Sequence, residues 1–126
     1  MTTPGIMLMT NVFVYGTLMR GEGAHSYLAK AEFVGEYSLP DYAIYDLGWY
    51  PGIRPKKGSV VYGEVYAVDD KMLREMDRYE GEGSLYHRTP VVVENDVGTV
   101  DAVAYVYARE IKGHEIEGGK WNERER

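Results

Sequence analysis

A chain of 126 residues with 44% hydrophobic and 27% charged residues has globular composition and is long enough to bury one core as a single domain. Fourteen Lys and Arg against twenty Asp and Glu leave a net charge of −6, the wrong sign for a phosphate-backbone binder, and Arg54, Lys56 and Lys57 form the only compact basic group. There is no cysteine, so disulfides, thiolate nucleophiles and cysteine-ligated metals are excluded, and no apolar run approaches the ~20 residues that cross a bilayer.

The expectation is a cytoplasmic protein with no nucleic-acid or membrane partner. The first ten residues carry no basic side chain and too short an apolar stretch for a secretory signal. Met7 and Met9 lie just upstream of the first strand and Met9 reads as the natural start; residues 1–10 read as a poorly ordered extension, 11–121 as the domain and 122–126 as a polar tail.

Val12, Phe13, Val14 and Tyr15 are β-branched or aromatic and predict a short buried strand that stops at Gly16. A glycine there lets the chain turn and lets a ligand approach bare backbone. The amides of Gly16, Thr17 and Leu18 then need partners, and successive free N–H groups form an anion-binding concavity. An ordinary strand end with a glycine turn fits these residue types too.

Residues 19–23 (MRGEG) read as a loop and 24–30 as a short helical turn with Tyr27 and Leu28 facing inward. Two strands are predicted at 32–39 and 42–47, separated by the turn signal Leu39-Pro40-Asp41. Residues 48–52 (GWYPG) read as a loop, 53–55 as a brief strand, and Lys56-Lys57-Gly58-Ser59 as a solvated hairpin-like turn. Residues 60–68 (VVYGEVYAV) alternate around Gly63 and predict a central strand with a bulge or close backbone approach at the glycine.

Asp69 or Asp70 is the N-cap of a helix through about Tyr79, with Met72, Leu73, Met76 and Tyr79 at helical spacing and Gly81 and Gly83 beyond its end. Residues 85–94 and 99–109 predict a hairpin turning at Asn95-Asp96-Val97-Gly98, and Ile111, Ile116 and Trp121 are the anchors of the polar tail. About seven strands to one clear helix, mostly with short connections, predict an α+β domain: a small, mainly antiparallel, closed or strongly curved β-barrel with one main helix.

Several short motifs occur in a fixed order: YGTL at 15–18, Tyr50-Pro51-Gly52, VYGEVY at 61–66, Asp77-x-x-Glu80-Gly81, Tyr86-x-Arg88 and GGKW at 118–121. This ordered set, from about Val12 to Trp121, resembles the γ-glutamylcyclotransferase-like family, which includes AIG2-like proteins and γ-glutamylamine cyclotransferase. The resemblance implies a small mixed β-barrel with one or two helices. It further implies an enzyme that needs no cofactor and acts on a small γ-glutamyl amide: the substrate's own α-amine attacks its γ-carbonyl, releasing 5-oxoproline and an amine.

Glu80 stands at the predicted helix C-terminus, where the dipole opposes a negative charge; burial there would raise its pKa and make it a better proton acceptor. A solvated glutamate fits the local sequence equally well. The family's catalytic glutamate occupies the Asp-x-x-Glu-Gly position, so the resemblance assigns general acid/base catalysis to Glu80 rather than to Glu82, which reads as solvated. It also makes Tyr15, Gly16, Thr17 and Leu18 a carboxylate or oxyanion site, Tyr86 a substrate contact and Tyr50 part of the rim. Asp77 reads as a structural acid paired with Arg74 or Arg88.

His25, His87 and His114 lack metal-ligand spacing and read as surface or structural residues, so no metal is expected. No serine has a nucleophile-elbow context, and Gly21-Glu22-Gly23 lacks the Gly-Lys-Ser/Thr of a phosphate loop. A monomer or small homo-oligomer is expected. Two further classes fit the residues: a non-catalytic small-molecule-binding or regulatory domain with the same pocket, and an interaction module using exposed tyrosines.

Overall fold

The opening strand forms as β1 (Thr10–Val14), in which Val12 and Phe13 have no exposed surface. A run that is apolar on both faces must lie inside a sheet covered on each side. In the computed structural model, which describes residues 8–123, it does. One edge of β1 pairs antiparallel with β3 (Pro51–Val68), Phe13 opposite Val65. The other edge lies parallel to β5 (Gly98–Tyr107), Val12 opposite Val103.

β5 pairs antiparallel with β4 (Tyr86–Asn95), β4 meets β2 (Glu32–Asp46) at Glu94 and Ser38, and β2 runs antiparallel along β3. The ring β3-β1-β5-β4-β2 therefore returns to β3: a closed five-stranded mixed barrel. The main helix, α1 (Asp70–Glu80), follows β3 directly. Its N-cap is Asp69, whose side chain accepts the Met72 N–H at 2.8 Å, and its inner face buries Met76 completely.

Two pairs of predicted strands are each one strand. Pro40-Asp41 does not end β2, and Lys56-Lys57-Gly58-Ser59 is no hairpin turn but part of β3. Between the pairs Pro40–Val60 and Tyr42–Pro55, a single residue of β2 faces four of β3, a bulge in the ladder. Asp41 takes a left-handed backbone (φ 61°), which its short polar side chain tolerates, and its carboxylate accepts the Gly58 N–H at 2.9 Å. The β2–β3 reversal lies instead at residues 47–50, closed by the Leu47 N–H to the Tyr50 carbonyl, and Pro51 and Gly52 already belong to β3.

Four smaller expectations also change. Thr10, assigned to the extension, pairs with Val68; residues 1–7 lie outside the described residues. In the short 3-10 turn His25–Leu28, Leu28 is buried but Tyr27 is 42% exposed, because its ring lies over Tyr79, 4.9 Å between centroids, rather than over the core. The tail contributes a strand, β6 (His114–Glu115), on the end of β2. Trp121, Asn122 and Glu123 form a 3-10 turn, and the described residues end there.

The tail is a strap. The Ile116 N–H donates to Ile44 and the Tyr62 N–H to Gly119, while Ile116 and Trp121 are buried and Ile111 half-buried. Trp121→Ala leaves a large void where the strap crosses the barrel. It is expected to lower unfolding free energy by about 3–5 kcal/mol, read from the urea denaturation midpoint.

Candidate active site

α1 ends in a Schellman arrangement: the Gly81 N–H donates to the Arg78 carbonyl at 3.3 Å and the Glu82 N–H to Asp77 at 2.9 Å, with Gly81 left-handed. This stop fixes the direction of the Glu80 side chain, which lines a cavity of about 220 Å³ together with the backbone that follows β1. Tyr15, Gly16, Thr17, Leu18, Tyr50, Glu80 and Tyr86, singled out from the sequence, all line this one cavity.

Burial alone pushes the Glu80 carboxyl up to about 7; among the described residues no cation or donor offsets it. The nearby groups are committed elsewhere. Arg88 pairs with Asp77, as one of the two expected pairings, and Asp77 also accepts the Tyr105 hydroxyl at 2.7 Å. The Tyr15 hydroxyl donates to the Tyr105 carbonyl and the Tyr86 hydroxyl to the Pro51 carbonyl, both at 2.5 Å. Burial is the main cause that holds all three phenols above their ordinary range, and the charge of Glu80 adds to each. They stay protonated, and each donates its proton to an acceptor other than Glu80.

The turn after β1 forms another part of the wall. The Met19 N–H donates to the Gly16 carbonyl at 3.0 Å and the Ala24 N–H to Thr17 at 2.8 Å. Among the described residues no protein acceptor takes the amides of Gly16, Thr17 or Leu18. Gly16 is required for a reason other than ligand approach: a Cβ there would lie 2.4 Å from Cγ of Pro51. The Thr17 hydroxyl meets that of Tyr79 at 2.8 Å, which ties the turn to the helix one residue before Glu80. Tyr50 stands at the mouth, its ring 6.4 Å from that of Tyr86.

Glu82 is exposed as expected, but its carboxylate accepts the Arg88 N–H at 3.0 Å. Sequence reasoning passed over Tyr105 and Tyr79 as cavity residues. Tyr105 carried one usable signal: it is the single large polar-tipped residue in an otherwise small, apolar stretch of β5, AVAYV. Among the described residues no group of His, Cys, Asp or Glu comes together to hold a metal, and no helix is long and apolar enough to cross a membrane.

A closed mixed barrel with one main helix is an architecture shared with known proteins. The chain belongs to the γ-glutamyl cyclotransferase, AIG2-like family, whose model matches residues 12–123. It is 36% identical over 116 residues to the γ-glutamylcyclotransferase family protein YtfP of Escherichia coli K12, covering 91% of this chain and 98% of that one. It is 38% identical over 97 residues to γ-glutamylaminecyclotransferase of Homo sapiens, covering 68% of this chain and 63% of the human protein. The crystal structure of an AIG2-like protein from Mus musculus superposes with a TM-score of 0.76 at 30% identity, covering 94% of this chain and 98% of that one.

The raised Glu80 pKa sets a pH dependence of stability. In the unfolded chain the group ionises near 4.5 and in the folded one near 7. Below 4.5 both states are protonated and nothing is lost; as pH rises to 7 the unfolded state gains its charge first, and folding is penalised increasingly. Glu80→Gln should therefore match the wild type in stability near pH 4 and exceed it above pH 7, by on the order of 3 kcal/mol. Urea titrations at the two pH values measure the gap.

Proposed function

We propose that this protein is a γ-glutamyl cyclotransferase that converts a γ-glutamyl amide into 5-oxoproline and a free amine, with Glu80 as the proton shuttle. The observation that carries this reading is a carboxylate with a pKa of about 7 that lines one small cavity with three unpaired amides.

The reaction needs little more than those two features. Folding the glutamyl chain so that its α-nitrogen meets its γ-carbonyl makes the attack intramolecular, a gain that reaches about 7–11 kcal/mol in well-oriented systems. The α-ammonium has no lone pair until it gives up a proton, and ionised Glu80 accepts it. Attack forms the ring C–N bond and moves charge onto the carbonyl oxygen; the amides of Gly16, Thr17 and Leu18 supply donors for that oxyanion or for the α-carboxylate. As the tetrahedral centre collapses, Glu80 gives that proton to the departing nitrogen, and the ring nitrogen sheds its second proton to solvent or, through the freed carboxylate, to the released amine, so Glu80 ends ionised as it began.

The tyrosine lining supports the same reading: phenols kept neutral bound the cavity without solvating Glu80. No cofactor has a part in these steps, and the absence of cysteine agrees with a cytoplasmic protein.

Glu80→Gln preserves shape but accepts no proton. Turnover of γ-glutamyl amides, followed as 5-oxoproline release, is expected to fall about 10²–10⁴-fold, while calorimetric affinity for 5-oxoproline stays near that of the wild type. In the wild type, kcat/KM should rise with unit slope up to pH ~7 and then level. Wild-type turnover in the variant would remove Glu80 from the chemistry. Binding without product from any amide in a broad panel would favour the non-catalytic domain.

A further inference from the structure

Glu64 is the one charged side chain buried in the core among the described residues, at 8% exposure, and the steps above make no use of it. A carboxylate removed from water is costly unless donors replace its hydration. Three do. The Arg20 backbone N–H donates to Oε1 at 2.9 Å, the Tyr66 hydroxyl to the same oxygen at 3.1 Å, and the Arg20 Nε to Oε2 at 3.3 Å.

The position of Glu64 in the sheet gives this burial a purpose. Its backbone pairs with Val14, the last residue of β1, where the chain leaves the barrel to form the turn of free amides. Its side chain grips Arg20, where that turn ends. One residue of β3 thus holds both stems of the loop, and β3 comes unusually close there: a Cβ on neighbouring Gly63 would lie 2.2 Å from the Val14 carbonyl.

The other polar contacts of the segment are mostly internal. The Met19 N–H to Gly16, the Ala24 N–H to Thr17 and the His25 ring to the Leu18 carbonyl fold residues 16–25 onto themselves. Among the described residues, only the Thr17–Tyr79 hydroxyl contact, at 2.8 Å, and the Glu64 grip tie the segment by hydrogen bonds to anything beyond the 3-10 turn that adjoins it.

We propose that Glu64 is the positioning residue of the anion-binding turn: paired with Val14 through its backbone and bonded to the Arg20 N–H through its carboxylate, it sets where the amides of Gly16, Thr17 and Leu18 point. This rests on the reading of those amides as the site for the substrate carboxylate or oxyanion. The Arg20 guanidinium is secondary. It is half exposed and lies 4.0 Å over the Phe33 ring, so its contact with Glu64 covers the carboxylate without setting the loop.

Four variants test this. Glu64→Ala removes the grip; Glu64→Asp keeps the charge but shortens the reach; Glu64→Gln keeps an acceptor oxygen for the Arg20 N–H; Arg20→Ala removes the guanidinium and leaves the backbone N–H. Expected are a loss of about 10–100-fold in kcat/KM for Glu64→Ala and Glu64→Asp, a smaller loss for Glu64→Gln, and a change within about threefold for Arg20→Ala. The acid limb of the pH profile, which reports Glu80, should not move in any of them.

Hydrogen exchange of the backbone amides is read in parallel and needs no turnover. Arg20 should lose protection, and the amide shifts of Gly16, Thr17 and Leu18 should change, in Glu64→Ala and Glu64→Asp but not in Arg20→Ala. If Glu64→Ala does not fold, Glu64→Asp and Glu64→Gln carry the comparison. Arg20→Ala matching the Glu64→Asp loss, or folded Glu64 variants with wild-type exchange at Arg20, would overturn the assignment. A wild type that turns over no γ-glutamyl amide while the exchange pattern follows the expected order would instead remove the proposed reaction and leave Glu64 as the clamp of that turn.

Discussion

A carboxylate without a counter-charge is the constraint around which this molecule is arranged. Glu80 sits where the α1 dipole is negative, largely withdrawn from water, and among the described residues no donor reaches it. Left to itself such a group would attract the nearest cation. Arg88, on the strand that follows, is held instead by Asp77, one turn back on the helix. Asp77 is held to that task from the other side by the Tyr105 hydroxyl, and the Tyr105 carbonyl in turn receives the proton of Tyr15. A chain of satisfied polar groups thus surrounds one that is not.

Barrel closure brings the two halves of the cavity together. β1 lies between β3 and β5, so its C-terminal end opens inside the ring rather than at a sheet edge. Tyr86 and Tyr105 are on β4 and β5, Pro51 opens β3, and Glu80 ends the helix that β3 feeds. Tightening at this point is extreme enough that Gly16 has no room for a methyl group beside Pro51. A glycine after the strand therefore serves packing between two cavity walls before it serves any ligand.

What could be read from the sequence is what short-range chemistry decides. The buried run at β1, the Asp69 cap, the Met72, Leu73 and Met76 face, the Gly81 stop and the 95–98 hairpin turn each depend on neighbours a few residues away. The continuity of β2 and β3 does not. Pro40-Asp41 and Lys56-Lys57-Gly58-Ser59 carry ordinary turn signals, which are overridden because the two irregularities face each other and the Asp41 carboxylate bonds Gly58. Likewise Tyr27 shares helical spacing with Leu28, yet its partner is Tyr79, fifty-two residues on, beyond the reach of any local pattern. The shared cavity of Glu80 and the 15–18 turn was suggested only by motif order, since nothing local joins residues more than sixty positions apart.

Glu64 and Glu80 show why burial alone does not define a catalytic acid. Both carboxylates are drawn into the same barrel, Glu64 the more deeply by exposed surface. Glu64 has three donors, two of them from one residue, so its charge is spent on holding a loop. Glu80 has none, so its proton affinity is raised and its lone pairs remain available to whatever enters the cavity. An interior carboxylate becomes structural or reactive according to how many hydrogen-bond donors the fold gives it. This fold supplies them to the acid on the strand and withholds them from the acid at the helix end.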